Sequence, residues 1–419
     1  MTHSCGLDFG TSNSTLGRVA ADGAPHLLPL EGGQLTMPSV LFFGAEDRTI
    51  HFGRAALSEY VSGADGRLLR SIKSVLGTKL FDDGVRLGAR IYRFDDILGI
   101  FVAELKARGE AATGLQLDAV VVGRPVQFVD DDPVADAEAQ RQLEQAVRRQ
   151  GFAHVEFQFE PIAAALDYER QVTRERIALI VDLGGGTSDF SLVRVSPERA
   201  RRADRSDDIL ATAGVHIGGT DFDRLLAMSR VMPELGLGSR TLDGKRHLPV
   251  APYVDLSTWH RINRLYDAKA QRDLRSTIRE ARETEKVETF VMLVEERLGH
   301  RLIGAVEDAK IELSDREAVE FAFPVRDRRI ETLMTEAQLA EALATSVGRL
   351  EETIAQTLRQ ADLSANGVDS LILTGGSTLV PAVYGRLRAL LPEAQMVRTD
   401  VLGSVGLGLA LEAKRIFGA

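Results

Sequence analysis

Ile180-Val181-Asp182-Leu183-Gly184-Gly185-Gly186-Thr187-Ser188-Asp189 decides how this 419-residue chain is read. An apolar run ends in a carboxylate, a glycine-and-hydroxyl turn follows, and a second strand-like run continues over 190–195. That order predicts a β-hairpin whose turn lets another group come close to the backbone. The same order stands near the start as Cys5-Gly6-Leu7-Asp8-Phe9-Gly10-Thr11-Ser12-Asn13, with its second run over 14–19. The two hairpins carry matched Asp residues and lie much further apart than one solenoid repeat, so they predict two duplicated α/β lobes.

Between the hairpins the pattern predicts a strand at 119–123, a polar helix at 134–150 and a strand at 155–159 that ends in Glu160-Pro161. From 221 to about 335 the texture changes to charged helical stretches, 269–294 and 301–314 among them. They predict an inserted helical subdomain, which holds the only tryptophan, Trp259. An α/β pattern then returns: a helix at 336–360, a strand at 370–373, the turn Thr374-Gly375-Gly376-Ser377-Thr378, a helix opened by Pro381 and a last helix over 401–417. Strands alternating with helices predict a mainly parallel sheet. The Arg-rich 198–205 reads as a solvated hairpin loop, diluted by Asp204, Asp207 and Asp208, and 253–260 reads as a connector packed against the insertion.

Lys and Arg total 51 against 61 Asp and Glu, a net charge of −10 that argues against a broad nucleic-acid or anionic-membrane surface. Cys5 is the only cysteine, which excludes an internal disulfide framework and a cysteine zinc site, and fits a reducing compartment. There is no basic leader followed by an apolar core and no run of eighteen apolar residues. The expectation is a cytoplasmic protein with no membrane and no nucleic-acid partner.

Successive backbone N–H groups in a turn free of bulky side chains make an anion concavity, and Gly10-Thr11-Ser12 and Gly184-Gly185-Gly186-Thr187 are two such turns. Asp8 and Asp182 would place carboxylates beside a bound phosphate, which is favourable only with a cation between them. Magnesium suits that place, because it prefers oxygen ligands and is often held by one or two carboxylates plus substrate phosphates. No GxxxxGK[ST], GxSxG or HExxH string occurs, no GxGxxG follows the first strand, and the eight histidines lack ligand spacing.

In this order the motifs resemble the actin-like ATPase superfamily, and more closely the ATPase domain of DnaK-type seventy-kilodalton heat-shock chaperones. Gly6 to Ser14 resembles the first phosphate motif and Val181 to Asp189 the second. Glu160-Pro161-Ile162-Ala163-Ala164-Ala165-Leu166 is similar to the connecting helix with its catalytic Glu. Ile217-Gly218-Gly219-Thr220-Asp221-Phe222-Asp223 resembles the join within the second lobe, and Leu373 to Pro381 the adenosine motif. Lys73-Ser74-Val75-Leu76-Gly77 is similar to the segment that carries the family's catalytic lysine.

The resemblance implies an α/β actin-like ATPase fold, with two RNase H-like lobes and inserted subdomains flanking a nucleotide cleft. The first-lobe core would take 1–36, 113–171 and 396–419, with 37–112 inserted. The second would take 172–220 and 336–395, with 221–335 inserted. It further implies ATP or ADP with magnesium at Asp8 and Asp182. Gly10, Thr11, Ser12, Asn13, Gly184, Gly185, Gly186, Gly218, Gly219 and Thr187 would contact phosphates. Lys73, Glu160, Asp182 and Thr187 would do the catalytic work, supported by Asp189. Glu307, Lys310 and Ser314, with Gly375, Gly376, Ser377 and Asp400, would hold the nucleoside.

Two departures stand out. Ile311 and Leu379 occupy positions where these chaperones place adenine-stacking arginines, which implies an apolar sandwich in place of cation–π stacking. The second is length: the chain is expected to resemble a short YegD-type branch that stands without a peptide-binding domain. The expected function is a chaperone-like ATP-binding protein with slow magnesium-dependent hydrolysis coupled to lobe motion, and with a protein partner not identified by sequence. The alternatives are a nucleotide-dependent switch or scaffold with little ATPase, or a small-molecule kinase of the superfamily. A bacterial-actin-like filament former and an activator with an iron–sulfur cluster bridging two copies at Cys5 are more distant rivals.

Overall fold

The computed structural model describes residues 3–45, 49–82, 84–87, 90–129, 132–202, 204–398 and 403–418. Asp400, expected at the nucleoside end, lies outside the described residues.

Two sheets with one topology form the frame. In the first, β1 (Ser4–Phe9), β2 (Asn13–Val19), β3 (Pro25–Leu27), β4 (Ala119–Arg124) and β5 (His154–Phe159) run in the order β3-β2-β1-β4-β5, with Thr36–Pro38 pairing on β2 as well. In the second, β6 (Arg176–Leu183), β7 (Ser188–Val195), β8 (Ile209–Val215), β9 (Ser370–Thr374) and β10 (Gln395–Arg398) run β8-β7-β6-β9-β10. In each sheet the first three strands form an antiparallel meander and the last two add in parallel. The duplication expected from the paired hairpins is therefore present strand by strand. The inner parallel strands read as unbroken apolar runs because helices cover both faces: Ala119 to Val122 and Leu371 to Ile372 are fully buried.

Each lobe has its own core, one around Phe9, Phe101, Val120 and Leu143, the other around Leu179, Phe190, Phe222 and Leu371. A third core joins them. Helices Glu160–Glu169 and Ser404–Phe417 cross between the sheets and bury Ile162, Ala163, Ala164 and Leu409 against Val121, Ile180 and Ile372. The crossing is tight enough to require glycine: a Cβ on Gly408 would lie 1.9 Å from the Ala163 carbonyl oxygen.

The first-lobe insertion is a three-stranded sheet of Val40–Gly44, Ile50–Phe52 and Gly66–Arg70 with helix Gly53–Ser62 packed on it. The second-lobe insertion departs from its expected all-helical texture. Ala318–Val325 and Arg328–Thr335 form a hairpin in which Val319, Phe321, Phe323 and Val325 alternate inward, a period of two that polarity marks weakly because Ala318, Ala322 and Pro324 face outward beside Glu320. The single helix expected over 269–294 is two helices, Ala268–Ile278 and Thr284–Glu295, because the linking Ala281 is buried and bridged to Thr241. The hairpin loop at 198–205 is exposed at Glu198, Arg201, Arg202 and Asp204, as expected, but its last residue is not. Arg205 is buried, bidentate on Glu169 at 2.9 and 3.0 Å, and also bonded to Asp208. The helix expected over 401–417 is described from Ser404.

Candidate functional site

Four turns from separate parts of the chain meet where the two sheets face each other. The β1–β2 turn brings Ser12 to the β6–β7 turn, where its hydroxyl would lie 2.5 Å from a Cβ on Gly185. Gly218 packs back to back on that turn: a Cβ there would lie 2.5 Å from the Gly185 carbonyl carbon and the Gly186 nitrogen. Backbone bonds fix the register, with Gly219 N–H donating to Gly184 O at 3.0 Å and Thr220 N–H to Gly185 O at 2.9 Å. Ser377 Oγ then sits 2.7 Å from where Gly219 would carry a Cβ, and Gly375, at φ +81°, lies against Leu183 at the end of β6. Gly10, Thr11, Asn13, Gly376 and Thr187 belong to the same turns. They stand at the carboxyl ends of parallel strands, where open α/β sheets place their ligands.

Lys73 reaches this floor from the first-lobe insertion. Its short 3₁₀ turn, Ile72–Val75, follows Ser71 in the left-handed region at φ 55°, a conformation that costs a non-glycine residue about 1–2 kcal/mol. The turn aims a buried ammonium at Glu160, with Nζ 2.5 Å from Oε1. Glu160 opens its helix directly after β5, with Pro161 in the first turn. Phe128 lies between Lys73 and Arg124, 6.0 and 5.2 Å from its ring centre.

Asp8 and Asp182 are the penultimate residues of β1 and β6, in mirrored positions. Burial first, then the Glu160 charge, raises the Asp8 carboxyl to about 7 against the partial relief of Lys73. Asp182 rises to about 8 through burial, then Asp189, Glu160 and Asp8. Four carboxylates thus crowd one lysine, which is the charge imbalance a divalent cation relieves. Among the described residues no three His, Cys, Asp or Glu side chains are set to hold an ion directly. Asp8 and Asp182 are a small set of oxygen donors, which suits an ion that keeps most of its water and is held by few carboxylates, as magnesium is. Thr187 Oγ1 lies 3.5 Å from Asp189, at the outer limit of a hydrogen bond. Glu160, Asp182 and Asp189 line a cavity of about 120 Å³, walled also by Pro125, Thr212 and His216.

At the other end Lys310, on helix Gly299–Glu312, is buried and reaches Asp223 at 2.6 Å and the Gly219 carbonyl at 3.4 Å. Burial raises the Asp223 carboxyl to about 6 in spite of Lys310. Asp223 stands within the quoted Gly218–Asp223 motif yet was not among the expected site residues; the signal for it is that a buried lysine needs a carboxylate. Glu307 and Ile311 lie on the exposed side of the same helix and Ser314 just beyond its end, while Leu379 is exposed beyond Ser377. Cys5 is fully buried, with its thiol directed at the Ala119 carbonyl and pushed up to about 12, so it offers no ligand to a cluster shared between copies.

Two lobes sharing one order of five strands, crossing helices and turns converging on paired aspartates define an actin-like ATPase fold. The Hsp70 protein family model matches residues 84–232 and 274–416, more than half of the chain. The chaperone protein DnaK of Thermosipho melanesiensis is 27% identical over 423 residues, covering 99% of this chain. The chain spans 59% of that relative's length. It belongs to the Hsp70 family.

Proposed function

We propose that the cleft binds ATP with magnesium and hydrolyses it slowly to ADP and phosphate, with lobe motion coupled to the state of the nucleotide. The observation that carries this reading is the convergence of Ser12, Gly185, Gly218, Gly219 and Ser377 beside the Lys73–Glu160 pair. The glycine and hydroxyl turns would cradle the phosphates, with Gly10, Thr11, Asn13, Gly184, Gly186 and Thr187 contributing. Asp8 and Asp182 would hold the hydrated magnesium, which supplies charge neutralisation at the phosphates.

Lys73 and Glu160 would position the attacking water, Glu160 accepting a hydrogen bond from it while Lys73 holds the carboxylate oriented. Asp189 and Thr187 would extend that water network. Phosphoryl transfer asks mainly for in-line positioning and charge stabilisation, and this set supplies both. Lys310, held by Asp223, with Glu307, Ser314, Gly375, Gly376 and Ser377, would receive the nucleoside. A chaperone-like role in the cytoplasm, acting through a protein partner, is part of the same proposal, in keeping with the DnaK relative.

Single-turnover hydrolysis of ATP by the full chain tests the reading. ADP should form with magnesium and fall to background in Asp182→Asn; equal turnover in that variant would overturn it.

A further inference from the structure

Above the phosphate floor the two insertions touch, and they do so through aromatic rings. Tyr60, on first-lobe helix Gly53–Ser62, packs edge-on against His300, with ring centres 4.6 Å apart, and lies 6.4 Å from Trp259. Trp259 and His300 belong to the second-lobe insertion and meet edge-on at 4.7 Å. Asn263 Nδ2 donates to the Tyr60 hydroxyl. Arg70, at the end of strand Gly66–Arg70, stacks 5.3 Å over the Trp259 ring and is attracted to Glu307. One contact thus joins the segment leading into Lys73 to the helix expected to receive the nucleoside.

Two polar atoms in this cluster are buried without a hydrogen-bond partner among the described residues, Trp259 Nε1 and His300 Nε2. The other His300 nitrogen bonds the Trp259 backbone. The groups facing His300 are Tyr60 and Arg70 from the first lobe, and Trp259 and Tyr266, the last at 6.5 Å, from the second. None of them is a carboxylate. A proton on Nε2 would therefore have no acceptor and would place a second cation near Arg70.

We propose that Tyr60 and Arg70 close on Trp259, Asn263 and His300 as an acid-sensitive clasp over the cleft, and that protonation of His300 opens it and speeds nucleotide exchange. The clasp itself stands on the ring geometry; its effect on exchange rests on the nucleotide reading above. Burial holds His300 at about 4 when closed, against an ordinary 6.5. If freeing the ring restores the ordinary value, linkage gives an open population about 30-fold larger at pH 5 than at pH 8.

Trp259 is the only tryptophan, so its emission reads the clasp directly in the full chain without nucleotide. From pH 8 to pH 5 the wild-type emission should shift to the red and become more open to acrylamide quenching. His300→Gln should remove that step, and Tyr60→Ala should look open at both pH values. A fluorescent ATP analogue with magnesium should leave the wild type about 30-fold faster at pH 5, His300→Gln less than about 3-fold faster, and Tyr60→Ala fast throughout. An unchanged step in His300→Gln, or release indifferent to Tyr60→Ala, would overturn the proposal. If the analogue does not bind while the emission step persists and depends on His300, the acid-sensitive contact stands and both its role in exchange and the nucleotide reading fall.

Discussion

Lys73 Nζ lies 2.5 Å from Glu160 Oε1, across 87 positions of sequence, and the two side chains belong to different subdomains of the first lobe. A buried pair is a costly way to gain stability, since desolvation offsets most of the attraction. Its worth is orientation. Lys73→Ala and Glu160→Gln are each expected to lower the rate of hydrolysis by about 10²-fold or more. The double variant should lose little beyond the worse single one, because the two groups act as a unit. Single-turnover rates of the three variants check this; additive losses would separate the residues.

At the crossing of the two connecting helices, Gly408→Ala would drive a methyl group into the Ala163 carbonyl. Backbone cannot yield there as a flexible side chain would. The expected cost is about 2–4 kcal/mol in urea unfolding, in the range of overpacking at a rigid contact. A loss under about 0.5 kcal/mol would show that the helices slide freely.

Arg205 is the buried counter-ion of Glu169 and Asp208. Burial already raises the Glu169 carboxyl above its ordinary 4.5, so its contribution is present in acid and is lost as pH rises through the folded value. Arg205→Met removes the cation that keeps that loss small. It should cost about 3–5 kcal/mol at pH 7.5 and clearly less near pH 5, where Glu169, left without its cation, takes up a proton. Urea unfolding of both proteins at the two pH values checks the sign.

Ile311 and Leu379 are 57% and 55% exposed, and they stand one and two positions from Lys310 and Ser377 of the nucleoside end. If they grip the base by apolar contact, Ile311→Ala and Leu379→Ala should each weaken ATP binding by about 5–20-fold and leave the rate of bound ATP unchanged, a loss of uniform binding. Titrations with ATP and GTP check it, with a narrow preference between the two expected because apolar faces do not read base edges.

The frame of the molecule was legible because its signals are local. Asp8 and Asp182 each stand next to last in an apolar strand beside a glycine turn, and one strand order recurs in both sheets. What escaped the sequence depends on residues far apart in it. Asp223 shows its part only once Lys310 is seen buried against it, and Tyr60 means little until the fold sets it on His300. Arg205 looked solvated because its neighbours are charged, whereas its guanidinium spans 36 positions to Glu169. The hairpin within 318–335 was hidden because the outward residues that alternate with Val319, Phe321 and Phe323 are mostly Ala318, Ala322 and Pro324, with Glu320 the one charge, so polarity does not mark the period of two.

The central claim is that this cleft is a magnesium-dependent nucleotide site, and calorimetric titration of ATP into the full chain tests it most directly. One ATP should bind per chain with magnesium present and at least about tenfold more weakly when the ion is chelated, and that dependence on magnesium should be lost in Asp8→Asn/Asp182→Asn. No heat of binding at millimolar ATP and magnesium, from protein that unfolds cooperatively, would contradict it.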